Sequence, residues 1–363
     1  MDVPAVAART GEGLESAARR ARYAFLRERK ANVGADCIAL AHHMDDQAET
    51  VLMHLARGTG PEGIGGMSEV SGDLVRPLLG CRKRDLVEWL TARGYTWRED
   101  ATNAVADNPR NALRMHGIPA LEQCYPQFVR SAARYARSAR IESDYVAAQT
   151  RAWLDANMEA GPYGLRLWLR DTPHPAILRR AIRAACDGGI DFDQLNAVEA
   201  LANVSRGATE IAGGRRVERG HRCLYFLRRG SAPMREAPLA LEGKTILPGV
   251  CVIDARPTMP APVRDDPTRQ ALDADALDGA VIRTRRPGDR FRPLGCGDRL
   301  LSDYLTDRKL DRPLRDCAAL AAVGNRVLWV CGMGISEDVK SRGCEAVDLR
   351  CRYTFDMSSG INK

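Results

Sequence analysis

Closely spaced cysteine pairs are missing from this chain. Its 11 cysteines are scattered, and the nearest two, Cys344 and Cys351, stand seven residues apart. That argues against zinc ribbons, thioredoxin-like chemistry and cysteine-ligated clusters. Reduced, mostly buried thiols in a cytoplasmic protein are the simplest account. Long apolar runs are missing too: nothing approaches the roughly 18 residues of a membrane span. The N-terminus lacks the basic-then-apolar layout of a signal peptide. The expectation is a cytoplasmic protein with no membrane partner and no protein-held metal cluster. What remains is ordinary for a globular chain, 45% apolar and 28% charged over 363 residues, enough for two or three domains. The net charge is +7, supplied mainly by arginine, and points to a polyanionic partner.

The chain is organised around CIALAHHMDDQAETVLMHLARG, residues 37–58. The apolar run 37–41 has the length of a buried strand. Ala48, Val51, Leu52 and Leu55 then recur at i, i+3, i+4 and i+7, giving a helix one apolar face. Asp45 is placed as its N-cap and Gly58 as its stop. Asp46 and Glu49, three apart, share another face of the first turn. In open parallel sheets, ligands sit just beyond the carboxyl ends of strands, and here that position carries His42, His43, Asp45, Asp46 and Glu49. Singly, each is an unremarkable first-turn residue; so many polar groups at one strand end point to a site.

Upstream, Glu15, Arg19 and Arg22 form a polar stripe on a helix over 13–30. Residues 58–67 contain a formal G-x-G-x-x-G, but it follows a helix, whereas the dinucleotide fingerprint must follow a strand; a flexible loop or ligand-facing connection is expected. A helix over 82–93, with Leu86, Val87 and Leu90 as its buried face, ends at Gly94. The turn-rich stretch holding Asp100, Asn103, Asp107 and Asn108 leads into Pro109, suited to a helix start, and then Arg110, Asn111 and Arg114, a candidate anion site. From Pro126 a long helix carries Arg130, Arg134 and Arg137 on one face with Arg140 close by. No acid lies between Glu122 and Glu142, so this row reads as a phosphate-backbone track. A small mixed domain follows. Near the C-terminus, six arginines (Arg283, Arg285, Arg286, Arg290, Arg292 and Arg299) surround a Pro-Gly-Asp turn, a density that suggests nucleic-acid contact.

Taken together, ESAARRARY (15–23), AHHMDDQAET (41–50) with the following RGTG, RPLL (76–79), Asp100 with Asn103, RNALR (110–114) and RRPGDRFRPLG (285–295) resemble the tRNA(Ile)-lysidine synthetases. These belong to the PP-loop ATP pyrophosphatase superfamily. The resemblance spans nearly the whole chain. It implies an α/β fold: a partial doubly wound parallel-sheet domain of the adenine-nucleotide hydrolase-like type over 1–125, followed by two smaller mixed α/β domains. These would be a middle domain over 126–232 and a basic C-terminal domain over 271–355, separated by a linker and strand pair over 233–270. The family's SGGxDS phosphate loop does not occur in the sequence. Met1 aligns partway into the catalytic domain, so an N-terminally incomplete synthetase with little or no lysidine-forming activity of its own is expected.

The resemblance also implies a reaction. ATP, with Mg²⁺, adenylates carbon 2 of the wobble cytidine in a CAU-anticodon isoleucine tRNA; the ε-amine of L-lysine then displaces AMP. Asp45, Asp46 and Arg114 would be catalytic. Asp46 and Glu49 would hold lysine's ammonium groups and Arg114 its carboxylate. His42, Asp45, Arg19 and Arg22 would face the nucleotide. Arg110, Arg130, Arg134, Arg283, Arg285, Arg286, Arg290 and Arg292 would contact tRNA. Two other readings stay open, a tRNA-binding remnant without catalysis and a related PP-loop tRNA thiolase. A homodimer also stays open.

Overall fold

A computed structural model of the chain describes residues 11, 13–98, 108–171, 173–228, 235–340 and 345–357. They fall into two compact units, Met1–Val146 and Ala147–Lys363. Among the described residues, no helix is long and apolar enough to cross a membrane.

In the first unit, helix α1 (Leu14–Asn32) lays Tyr23 and Leu26 against Ile38 and Leu74. Ile38 belongs to strand β1 (Ile38–Ala39), paired in parallel with β3 (Leu74–Val75), while β2 (Val70–Ser71) runs antiparallel to β3. The strand is shorter than the apolar run 37–41 that announces it, because Cys37 is exposed and only Ile38 is fully buried. The three-stranded sheet holds one parallel pair, a mixed sheet rather than the doubly wound parallel one expected.

Helix α2 (Met44–Ala56) follows β1. Its apolar face is the one the spacing indicates: Ala48 is fully buried against Ile118, Val129 and Ala132, with Leu52 alongside. The cap is not. His43 is the N-cap: its Nδ1 accepts from the Asp46 N–H, and the Asp46 carboxylate accepts in return from the His43 N–H. Asp45 points away and serves another helix.

The stretch 58–67 is tied down rather than free. It contains the helical turn α3 (Pro61–Ile64). The buried Gln47 amide donates to Gly65 O and Met67 O and accepts from Met67 N at 2.8 Å. Arg140 donates to the same two carbonyls. Gly66 sits at φ +58, and a Cβ there would meet the Gln47 amide at 2.8 Å, so only glycine suits this approach.

Helix α4 (Lys83–Ala92) turns Leu86, Val87 and Leu90 inward, though each is only half-buried. Asp100, Asn103 and Asp107 lie outside the described residues. Asn108 caps the short α5 (Pro109–Ala112) by accepting from the Asn111 N–H. A π-helical segment, Leu113–Gly117, leads into α6 (Ile118–Cys124). The long α7 (Phe128–Asn157) then continues into the second unit.

Among its described residues that unit contains three sheets. Strands β4 (Met158–Gly161), β5 (Gly164–Trp168), β6 (Ala208–Ile211), β7 (Arg215–Arg219) and β8 (Cys223–Leu227) form one in the order β4-β5-β8-β7-β6. Helices α8 (Pro175–Ala185) and α9 (Phe192–Ala202) cover one face through Ile182, Leu195 and Val198. Within 233–270, expected as a linker and strand pair, the antiparallel pair does form, turning at Pro248–Gly249, and it joins a larger sheet. Its strands β10 (Gly243–Leu247) and β11 (Cys251–Thr258) join β12 (Arg269–Asp273) and β19 (Ala346–Tyr353) in the order β10-β11-β19-β12. The third sheet includes β13 (Val281–Arg283), β16 (Leu320–Val323) and β17 (Arg326–Val330).

Strand β16 is buried on both faces, as period-2 alternation allows. Ala321 joins Ile253, Leu272 and Trp329, while Leu320 and Ala322 join the other side. On that other side, Tyr163, Trp168 and Tyr225 of the middle sheet share one core with Phe291, Tyr304 and Leu314. Arg166, fully buried, lies over the Trp168 ring at 4.2 Å and donates to Asp356 O at 2.6 Å. Asp311 accepts from Tyr225 Oη at 3.1 Å and from the His221 N–H at 3.0 Å.

Arg283, expected on a tRNA-contacting surface, is instead in the interior with no exposed area. Its guanidinium makes two bonds to Asp289, at 2.7 and 2.9 Å, and reaches Gly324 O at 2.8 Å. Asp289 also accepts from the Arg286 N–H, which fixes the Pro-Gly-Asp turn. Removing one partner of a buried pair strands the other charge. Asp289→Ala should therefore lower the unfolding free energy by about 3–5 kcal/mol in urea titration. Asp298→Ala, which breaks the exposed Arg290–Asp298 pair, should cost less than about 1 kcal/mol.

Candidate active site at the end of strand β1

The chain leaves β1 through Leu40, whose N–H bonds Val75 O at 2.9 Å. It enters α2 with three acids in its first two turns, and each meets arginine. Asp45 accepts from Arg82 Nε at 3.1 Å and from the Lys83 N–H at 2.7 Å. It thereby caps α4, whose own N-cap residue, Arg82, makes no side-chain cap bond. Burial raises the Asp45 pKa, but the Lys83 N–H and the Arg82 guanidinium outweigh it and hold the carboxyl below its ordinary value. Arg82, almost fully buried, also bonds Glu122 at 3.0 and 3.3 Å. Neither Arg82 nor Glu122 stands out in the sequence, since their partners lie about 40 residues away.

Glu49 is 1% exposed. One of its oxygens accepts from Arg114 Nε at 2.6 Å; the other accepts from Arg114 Nη2 at 2.9 Å and Arg110 Nε at 2.8 Å. Bidentate pairing of this kind is the strongest form of carboxylate recognition. The bond to Glu49, against an opposing contribution from burial, raises the Arg114 pKa. Asp46 is held more loosely, with Arg114 Nη2 at 3.3 Å and Arg110 Nη2 at 3.9 Å. Arg110 comes from α5, and Arg114 from the π-helical segment, a feature that recurs at functional sites. Arg110, expected on a tRNA surface, thus belongs to the acid cluster.

His42 completes the group. Its Nδ1 is buried and has no partner among the described residues. Burial lowers its pKa, Asp46 pulls the other way, and Arg76, Arg110 and Arg19 lower it further. The imidazole is therefore neutral in an arginine-rich setting. Arg19 and Arg22 both stand over the Tyr23 ring, at 5.2 and 5.7 Å. Arg76, more than nine-tenths buried, donates to Ser68 O.

Away from this centre the arginines divide. Those near the C-terminus find acids in space, three of them more than 30 residues away in sequence: Arg285 pairs with Asp316, Arg286 with Glu236 and Arg292 with Asp338, while Arg290 pairs with Asp298 eight residues on. On α7 the charge is less compensated. Arg130 meets Asp85 only at 3.9 Å and Arg134 bonds the Ser131 hydroxyl. Arg137 has no acidic partner among the described residues. This row, with Met44, Gln47, Glu69 and Leu79, lines a cleft of about 510 Å³.

Residues 1–121 match the PP-loop domain family and residues 280–351 the TilS substrate C-terminal domain family. The strand-end site thus sits in a PP-loop protein that carries a second, dedicated C-terminal module. The tRNA(Ile)-lysidine synthases of Symbiobacterium thermophilum and Geobacter sulfurreducens are 34% and 33% identical to it. The alignments cover 88% and 93% of this chain and 73% and 77% of theirs. One from Thermus thermophilus is 31% identical, over 92% of this chain and 57% of its own. The chain belongs to the tRNA(Ile)-lysidine synthase family. A solved TilS C-terminal domain aligns over 34% of the chain at 21% identity with a TM-score of 0.31, too distant a likeness to add detail.

Because the folded His42 pKa lies below its ordinary value of 6.5, the unfolded chain binds the proton more tightly. Stability from this group is fully present above about pH 6.5 and falls as pH drops below it. In an NMR titration the His42 ring should protonate below 6.5, and His42→Asn should flatten the acid limb of the stability profile.

Proposed function

We propose that this chain carries the lysine-handling half of the family reaction: ATP-dependent attachment of L-lysine to carbon 2 of the wobble cytidine in a CAU-anticodon isoleucine tRNA. The reaction would run through an adenylated tRNA and release pyrophosphate and AMP. The observation that carries this reading is the paired cluster of Asp46, Glu49, Arg110 and Arg114 beside a neutral His42. Free lysine has two ammonium groups and one carboxylate, and the cluster holds both kinds of counter-charge. An entering ammonium can take Asp46 from Arg114, and the guanidinium so released can take the lysine carboxylate. The exchange re-pairs one ammonium and the carboxylate, and lysine's second ammonium brings one net positive charge into the site.

The distances divide the labour between the two acids. Asp46, with contacts of 3.3 and 3.9 Å, is the one that can yield a partner. It is also the candidate to accept a proton from the attacking amine, which at a free pKa of about 10.4 is mostly protonated at neutral pH. Glu49, held at 2.6–2.9 Å, positions the two arginines. Arg19, Arg76 and Arg110 around His42 suit an anionic nucleotide, to which a neutral imidazole can offer a hydrogen bond. Asp45, committed to Arg82 and the N-terminus of α4, orients the neighbouring helix.

Mg²⁺ would accompany ATP, but the carboxylates here do not fit a protein-held ion. The Asp45, Asp46 and Glu49 oxygens already have donors, and no cluster of three metal-binding side chains exists among the described residues. On the tRNA side, Arg134 bonds only a hydroxyl and Arg130 meets its one acid, Asp85, at 3.9 Å. Arg285, Arg286, Arg290 and Arg292 can exchange exposed acid partners for phosphates, since such surface pairs are worth little.

The test is binding of L-lysine by the chain, measured by calorimetry, beside incorporation of labelled lysine into CAU-anticodon isoleucine tRNA with ATP present. Without an SGGxDS loop in the sequence, incorporation by this chain alone should be little or none while lysine still binds; Asp46→Asn should weaken that binding at least ~30-fold and leave tRNA binding unchanged. No lysine binding with intact tRNA binding would replace the lysine-handling reading with a binding module, and a thiolated product would replace it with a thiolase.

A further inference from the structure

Helix α4 ends in an exposed aromatic group that nothing in the lysine chemistry uses. Trp89 is 51% exposed and Tyr95 59%. Their rings lie nearly parallel, 12° apart, with centroids 6.3 Å from each other. The Arg93 guanidinium stands over the indole at 4.0 Å. Large exposed rings are costly to leave in water, and this pair is held open by local structure. Gly94, at φ +71, turns the chain so that Tyr95 comes back beside Trp89, and the Tyr95 N–H bonds Leu90 O at 3.1 Å.

The group stands one helical turn from the head of the arginine row on α7. Asp85, one turn before Trp89 on α4, is the residue that Arg130 meets at 3.9 Å. From Arg130 the row runs on through Arg134, which bonds only the Ser131 hydroxyl, and Arg137, with no acidic partner among the described residues. An aromatic stack followed by a line of sparsely paired guanidiniums matches one chemistry in particular. Unpaired RNA offers flat base faces and, alongside them, regularly spaced phosphates. A folded protein partner would not need both, and paired RNA would keep its base faces hidden.

We propose that Trp89, Tyr95 and Arg93 form a stacking platform for an unpaired loop nucleotide of the RNA substrate, and that Arg130, Arg134 and Arg137 hold the adjoining phosphates. The assignment rests on the tRNA reading above. It deepens that reading by naming the single-stranded loop, rather than a helical arm, as what this face receives.

The two halves of the surface have different signatures in binding measurements. With the full chain and an isolated anticodon stem-loop as probe, Trp89→Ala should raise Kd about tenfold at fixed salt. The slope of log K against log salt should not change, because no phosphate contact is lost. Trp89→Phe should restore most of the affinity. The double variant Arg134→Ala/Arg137→Ala should instead reduce the slope by about 1.4, at about 0.7 per single-strand phosphate. A fluorescent purine analogue in the loop should be quenched by the wild type and not by Trp89→Ala. Trp89→Ala binding as tightly as wild type would overturn the platform, and an unchanged slope in the arginine variant would overturn the phosphate track. A wild-type chain that binds neither the stem-loop nor whole tRNA would overturn the tRNA reading itself.

Discussion

One buried carboxylate holds the site face of the first unit together. Glu49 is almost without solvent contact, and the free energy of removing it from water is recovered only through three guanidinium bonds from Arg110 and Arg114. Those arginines arrive from a segment more than 60 residues along the chain, so the ion cluster locates α5 and the π-helical turn against α2. Asp46 and His42 inherit their surroundings from that placement. Asp45 does the same on the opposite side, where its oxygens fix the start of α4. The first turn of α2 is thus both the candidate site and the joint on which its neighbours are hung.

Much of this was legible in the sequence. The helical spacing placed Ala48, Val51 and Leu52 on the face that packs inward, whereas Leu55 at its end is exposed, and the polar residues after β1 do converge in space on one ion cluster. The N-cap was misjudged because Asp45 and His43 are both able to cap; what decided between them was the remote Arg82–Lys83 turn, which no local rule sees. The loop at 58–67 reads as mobile from its glycines, yet the anchors Gln47 and Arg140 lie elsewhere in the chain. The proline-rich stretch around 233–270 resembles a linker, but alternation in β10 and β11 turns Leu247 and Ile253 into a core completed by Ile282 and Trp329 from later in the chain.

Charge was the least legible property. The six C-terminal arginines form the densest basic run in the chain, and in space each exposed one faces an acid while Arg283 is sealed in the interior. The α7 row is sparser in sequence and less compensated in the fold. Linear density counts only neighbours along the backbone; potential at a surface depends on every charge within about a Debye length. The absence of acids from 123–141 was the better signal.

The shared core of the second unit has an evolutionary consequence. Tyr163, Trp168 and Tyr225 are sealed against Phe291, Tyr304 and Leu314, and Arg166 is locked to the carbonyl of Asp356 from the far end of the chain. Two sheets joined in this way do not behave as interchangeable cassettes. Recombination between relatives that brought in one without the other would leave mismatched rings at the seam. A change to the rings on one side of the seam therefore calls for a matching change on the other, and the seam fixes the spacing between whatever surfaces the two sheets present to a partner.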